Sequence, residues 1–344
     1  MNRTKLVSRV GAGCIFLAMV LRLAATVTWG SDIPIFAQPE LARFLLRSET
    51  GREIPTTTKP TQKPSTSPTV LSTQTPTTPV TTAPATAKPI PQTQSFCAAD
   101  AKYVDLTYSC NYRPDISALL QQPLDWSLTG DKPTVLILHT HGTESYTPTA
   151  DTQYKEYGGD FRTDDDRYNL ISIGDELTRF LEQAGIKVIH DRTPYDKDDY
   201  LDAYSNARAA IQNHLKKHPT IRLVLDLHRD AATYADGTQW PTSATVNGQK
   251  SAQIMFVVGT DAGGNSHPNW KANLATAEKL QVLMEKNCAG ITRAIDLRSQ
   301  RFNQDLSAAA MIVEVGSAGN THPEALIAIP ILADAIIALQ HGSA

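Results

Sequence analysis

Four short stretches carry the residues that could do chemistry: HTHGTESY at 139–146, DLHRD at 226–230, EVG at 314–316 and RFNQDLS at 301–307. Two imidazoles and a carboxylate make up a common ligand set for a catalytic zinc ion, which keeps a further position open for water. His139 directly follows the apolar run Thr134–Leu138, and His228 directly follows Ile221–Leu227. Read as strands of a parallel sheet, both runs deliver their histidines to the carboxyl edge, where sites in such sheets form. Glu144, on the loop after His139, is the nearest candidate carboxylate. His141 lies two residues from His139 and could take its place. Asp164, Asp165 and Asp166 are further candidates, or else caps of the helix that follows them.

Glu314 sits inside the apolar run Ala310–Val315. An unpaired carboxylate there is costly. It either reaches solvent or an arginine at the strand end, or serves as a general base whose proton affinity is raised by burial beside a metal. Arg301, Asn303, Gln304 and Asp305 form a dense polar loop that could hold substrate amides, support the ligands or simply be solvated. His190, His214, His218, His267, His322 and His341 read as surface or structural. The chain contains no GxSxG elbow, no GxxxxGK[ST] phosphate loop and no GxGxxG fingerprint. Cys288 lies late in a predicted helix with no histidine close in sequence, which argues against a thiol nucleophile.

The elements that must position these residues follow from hydrophobic periodicity. Strands are predicted at Thr134–Leu138, Ile186–Ile189, Ile221–Leu227, Ala252–Gly259 and Ala310–Val315. Helices are predicted at Asp164–Ala184, Tyr204–Lys217, Leu274–Lys286 and Pro323–Leu339. Asn247-Gly248 is the signal of a tight hairpin. Strands alternating with helices predict an α/β fold with a mostly parallel sheet and helices on both faces.

Upstream of residue 96 the composition changes. Arg3, Lys5 and Arg9 precede an apolar run from Val10 to Trp29, which reads as a single membrane anchor at 1–30 with its N-terminus in the cytoplasm. A cleaved signal peptide is the rival, although the run is long for one. Residues 31–95 combine a short amphipathic segment with a Pro/Thr-rich stretch that cannot bury enough apolar surface to order itself. Semi-extended, that stretch reaches on the order of 100 Å. Residues 96–344 then read as one extracytoplasmic domain. Cys97 and Cys110 bracket its start and could form a disulfide in an oxidising compartment. Net charge is −3 over 344 residues, with charged residues at 19%, so no nucleic-acid partner is expected.

HTHGTESY, DDRYNLISIGDEL, LVLDLHRDA, AQIMFVVGTD followed by HPNW, LRSQRFNQDLS and IVEVGSAGNTHPEA together resemble the stage II sporulation protein P family, from about Pro133 to the C-terminus. The resemblance implies a peptidoglycan hydrolase with N-acetylmuramoyl-L-alanine amidase activity and an associated endopeptidase activity. Its fold would be similar to that of the zinc-dependent amidase-3 class. It implies His139, His228 and Glu144 as ligands of Zn2+ and Glu314 as the catalytic glutamate. The amidase-3 pattern would put the carboxylate ligand before a helix, at Asp165. The family's biology implies a mother-cell membrane location facing the septum in an endospore former. There it would degrade septal wall during engulfment, with a stage II sporulation D-type lytic transglycosylase and a membrane localising partner. A wall-binding scaffold that recruits the transglycosylase, its metal site degenerate, is the alternative. A metal-free hydrolase with a carboxylate pair would leave both histidines idle.

Overall fold

A computed structural model describes residues 95–157, 161–234 and 238–339. The predicted anchor at 1–30 and the linker up to residue 94 lie outside the described residues. Strands β1 (Leu106–Ser109), β2 (Val135–Leu138), β3 (Val188–His190), β4 (Leu223–Asp230), β7 (Ile254–Gly259), β8 (Ile295–Arg298) and β9 (Ala310–Ser317) form one sheet in the order β1-β8-β7-β9-β4-β2-β3. Strands β5 (Ser243–Val246) and β6 (Gln249–Ala252) make a separate antiparallel hairpin. Its turn is the predicted Asn247-Gly248, with φ of 49° and 80°, the left-handed pair that such a turn needs.

All neighbouring pairs in the large sheet are parallel except β7 with β9. The exception has a topological cause. Among the described residues no helix intervenes between β4 and β7, so the chain lacks the crossover that a parallel return requires. It leaves the carboxyl end of β4, forms the β5–β6 hairpin and descends β7 beside β9.

Helices α2 (Leu170–Gln183), α4 (Trp270–Asn287) and α5 (His322–Leu339) contribute to the main core with one side of the sheet, while α3 (Ala203–Lys217) covers Leu136, Leu138 and Val224 on the other. A short α1 (Ile116–Leu120) packs on α4. The mostly parallel α/β sheet with helices on both faces is therefore the architecture of this domain. Helix α5 has the length and mean hydropathy, 1.6, of a membrane span. It nevertheless packs on α2, α4 and β6, with Ile329, Leu332 and Ile336 fully buried, as a core helix does.

Three expectations are corrected. The helix predicted from Asp164 begins at Leu170, because the Asn169 side chain accepts the Ile171 N–H at 2.9 Å and caps it. Strands β1 and β8 were not anticipated, since β1 alternates half-buried and exposed residues and β8 carries Asp296 and Arg298 among its four. Cys97 and Cys110 are free thiols, and the Cys97 backbone N–H and Sγ both turn to Asp100 Oδ2, at 3.0 Å and 3.6 Å.

The RFNQDLS loop is a fastener. Gln304 Nε2 donates to the Val257 carbonyl at 3.0 Å, and Gln304 Oε1 accepts from the Gly259 N–H at 2.8 Å. Asp305 accepts both Arg208 guanidinium nitrogens from α3, at 2.8 Å and 2.7 Å. Phe302 covers Met255, Val257 and Ile312 on the sheet face that α3 leaves open. To present that ring, Phe302 and Asn303 take left-handed φ values of 48° and 61°. Replacing Gln304 by Ala strands one buried donor and one buried acceptor, so Gln304→Ala is expected to cost about 2–4 kcal/mol in urea unfolding.

Candidate active site

The sheet register brings His228 and Glu314 together. They are partners across β4 and β9; His228 is buried, and Glu314 is half-buried with its Oε2 shut off from solvent. Both strands run further than their apolar cores suggest, to Asp230 and Ser317, so these residues are held by ladder hydrogen bonds rather than by loops. Gly316 is required just beyond: its φ is 71°, and a Cβ there would lie 2.7 Å from Asn320 Oδ1 and 2.8 Å from the Ala252 Cβ.

Strand alternation decides which histidine of HTH joins them. Leu138 is the register partner of Asp226, and Asp226 and His228 share the face that α3 covers. His139, one residue on, falls to the other face. There its Nε2 lies 2.8 Å from His190 Nε2, beneath Gly174, whose hydrogen leaves room where a Cβ would come within 2.6 Å of the ring. His141 is carried back by the turn, with its ring centroid 5.4 Å from that of His228 at 87°. The structure thus gathers His141, Glu144, His228 and Glu314, and pairs the expected ligand His139 with His190 instead.

Two carboxylates pin the turn that does this. Asp226 accepts the Thr140 N–H at 2.8 Å and its hydroxyl at 2.6 Å. Asp196 accepts the Thr143 N–H at 3.2 Å and its hydroxyl at 2.6 Å, and also Arg162 Nη2 at 2.9 Å. Glu144 Oε2 lies 3.6 Å from His228 Nδ1 and accepts the Arg229 backbone N–H at 3.2 Å. The Arg229 guanidinium lies near the other oxygen and donates from Nε to the Ser145 carbonyl at 2.9 Å. Tyr146 closes the stretch by donating to the Val315 carbonyl at 2.9 Å.

Asp164, Asp165 and Asp166 are not part of this group. They pair with Lys197, Arg167 and Arg192 on the surface. Sequence reasoning missed Asp196, Arg162 and the aromatic wall. Tyr200 stacks on His141 at 4.4 Å, Tyr204 stacks near His228 at 6.4 Å, and Phe302 lies 5.8 Å from Tyr204. Asp226 and Arg229 were visible in DLHRD, flanking the histidine, but nothing in the spacing singled them out.

Burial sets the electrostatics. Desolvation pushes Glu314 up to about 8, against the opposing pull of His228. Glu144 is raised for the same reason, moderated by Arg229. His141 is held well below the usual imidazole value by burial and by neighbouring His228. Burial also opposes charging His228, yet Asp226, Glu144 and Glu314 outweigh it and lift it to about 10. His228 Nε2 stands 3.1 Å from Asp226 Oδ1 but outside hydrogen-bonding angle.

The donor chemistry fits zinc, with two imidazoles and the Glu144 carboxylate beside them; His141 Nδ1 and His228 Nε2 are buried and lack hydrogen-bond partners, as do His139 Nδ1 and Glu314 Oε2. Among the described residues, no three His, Cys, Asp or Glu side chains already stand in ligating geometry. An ion would have to draw these side chains together by rotamer adjustment.

Solved structures similar to the chain include the CwlD amidase from Clostridioides difficile in complex with the GerS lipoprotein, at 14% identity and a TM-score of 0.35, covering 60% of this chain and 94% of that one. The N-acetylmuramoyl-L-alanine amidase AmiC2 of Nostoc punctiforme is 11% identical with a TM-score of 0.37, covering 60% and 97%. Among curated sequences, stage II sporulation protein P of Bacillus subtilis is 29% identical over 212 residues, 57% of this chain, and the chain spans about half of that relative's length, 48%. The family model for stage II sporulation protein P matches residues 46–337, most of the 344, and the chain belongs to that family.

Proposed function

We propose that the chain is a zinc-dependent peptidoglycan hydrolase of sporulation that cleaves the amide between the lactyl group of muramic acid and L-alanine. The observation that carries this reading is the group His141, Glu144, His228 and Glu314, assembled from two strands and one pinned turn. Family membership supplies the substrate expectation. His141, His228 and Glu144 would hold the metal, His141 taking the place anticipated for His139. When bound, zinc supplies Lewis acidity and lowers the pKa of water.

Glu314 is the proton acceptor. Desolvation makes it a stronger base than a surface carboxylate, as proton removal from water requires. Arg229 and the backbone amide beside it hold Glu144 oriented. Asp226 lies beside His228 and pins the turn that carries His141, through the Thr140 amide and hydroxyl. Tyr204 and Phe302 wall the α3 side and restrict water.

The finer biology belongs to the same proposal. A membrane anchor at 1–30 and a linker let the domain sample wall at a distance. The setting is septal wall degradation during engulfment, beside a stage II sporulation D-type lytic transglycosylase and a membrane localising partner.

Purified full-length chain is expected to release stem peptides with free L-alanine N-termini from peptidoglycan, read by mass spectrometry. Glu314→Gln should lower kcat by roughly 10²–10⁴. Intact activity after exhaustive chelation would sink the zinc mechanism, and wall binding without hydrolysis would favour a scaffold. Elemental analysis should find one zinc per chain, lost in His141→Ala and His228→Ala but retained in His139→Ala. Retention in His141→Ala and loss in His139→Ala would restore the ligand set expected from sequence.

The desolvated acid also has a stability signature. Glu314 is raised above its unfolded value, so the metal-free folded state holds a proton that the unfolded state releases, and stability falls as pH rises from about 4.5 to about 8. Glu314→Gln removes that loss. The metal-free variant should therefore be more stable than the parent by on the order of 2–3 kcal/mol at pH 7, the gap closing toward pH 4.5 in calorimetric melts. His228 works in the opposite sense. Its stabilisation is complete below about 6.5 and is lost as pH rises through about 10.

A further inference from the structure

Among the described residues the large exposed hydrophobic side chains are Tyr157, Tyr200, Tyr234 and Trp240, between 36% and 50% exposed. Tyr200 belongs to the site already described, because it stacks on His141 on the β2–β3 side. Tyr234 and Trp240 form a separate pair on the β4–β9 side, with ring centroids 6.0 Å apart and planes 36° from parallel. Two half-exposed aromatic rings in contact offer a flat, neutral surface with apolar faces to bind against.

The pair is built into the end of the sheet. The Trp240 carbonyl accepts the hydroxyl of Ser317, the last residue of β9, and the Trp240 N–H donates to the Ala232 carbonyl at 2.8 Å. Asn320 then grips Thr242 from both sides, accepting its N–H at 3.1 Å and donating to its carbonyl at 3.0 Å. Gly319 lets the strand end approach, since a Cβ there would lie 2.6 Å from Trp240 C and from Pro241 N. The SAGN stretch after EVG thus holds Trp240 and Thr242, besides receiving the Thr147 amide at the Ala318 and Asn320 carbonyls. Ser317 is three residues beyond Glu314, about 10 Å along the strand.

We propose that Tyr234 and Trp240 form a platform for the glycan strand of the substrate, stacking on the C–H faces of its pyranose rings; this rests on the hydrolase reading above. The amide to be cleaved is joined to the sugar through its lactyl group alone, so a sugar must lie beside Glu314 when the bond does. Neutral aromatic faces suit a pyranose. They do not suit the stem peptide, whose carboxylates call for cations.

The test uses the full chain carrying Glu314→Gln, so that binding is read without turnover. Glycan strands stripped of stem peptides and the free stem peptide are titrated separately by calorimetry. Adding Tyr234→Ala and Trp240→Ala should weaken stripped glycan roughly tenfold and leave the peptide unchanged, with Trp240→Phe recovering most of the loss. In the active chain the same pair should raise KM for peptidoglycan with little change in kcat. Unaltered thermal midpoints exclude misfolding, the rings being half exposed. Stripped glycan that binds both chains equally, or that binds neither, overturns the platform, as does a loss confined to the peptide. Trp240-dependent glycan binding in a wild-type chain that hydrolyses nothing would remove the hydrolase reading and uphold the platform.

Discussion

Everything around the site follows from one costly placement, a glutamate in the middle of a buried parallel strand pair with a histidine as its register partner. Moving a carboxylate out of water costs several kcal/mol unless something compensates. Here compensation is partial. Glu314 Oε2 has no hydrogen-bond partner, and the group stays a weak acid held near neutrality, while the charge in the pocket resides on His228 and its flanking carboxylates. A fold built only for stability would put an isoleucine there, as the apolar residues on either side of it in β9 suggest.

The surrounding structure keeps this placement dry and rigid. The loop containing RFNQDLS does so indirectly. Gln304 ties the loop to β7, Asp305 ties it to α3, and Phe302 then backs Tyr204, which faces His228. The HTH turn is fixed by paired carboxylate–threonine clamps, each using an amide and a hydroxyl of the same residue. Both clamps are buried, so their short hydrogen bonds are worth more than exposed ones and their loss would leave charged groups stranded. Rigidity of this kind is what a reacting centre needs, since small displacements are expensive in rate.

How much was legible in the chain varies element by element. The central strands β2, β4, β7 and β9 announce themselves as continuous apolar runs because both their faces are covered. Strands β1 and β8 lie at one side of the sheet, and their alternating polar residues gave no such run. The hairpin turn was legible because Asn247-Gly248 meets a backbone requirement that few other pairs meet. The acids at 164–166 looked like helix caps, yet Asn169 won that position, a choice between near-equivalent local signals that only packing resolves.

By itself the sequence determined the mostly parallel sheet and the central strand positions, since these depend on residue identity and local periodicity. It also placed Glu314 in a strand and His228 directly after one, and the structure extends β4 to include His228 as the register partner of Glu314. Tertiary structure alone decided that His141 and not His139 turns to face them. The reason is geometric: successive side chains on a strand point to opposite faces, Leu138 is committed to the α3 face, and His139 must therefore go beneath Gly174 to His190. Only a turn pinned from outside, by Asp196 and Asp226 far away in sequence, could bring the second histidine back.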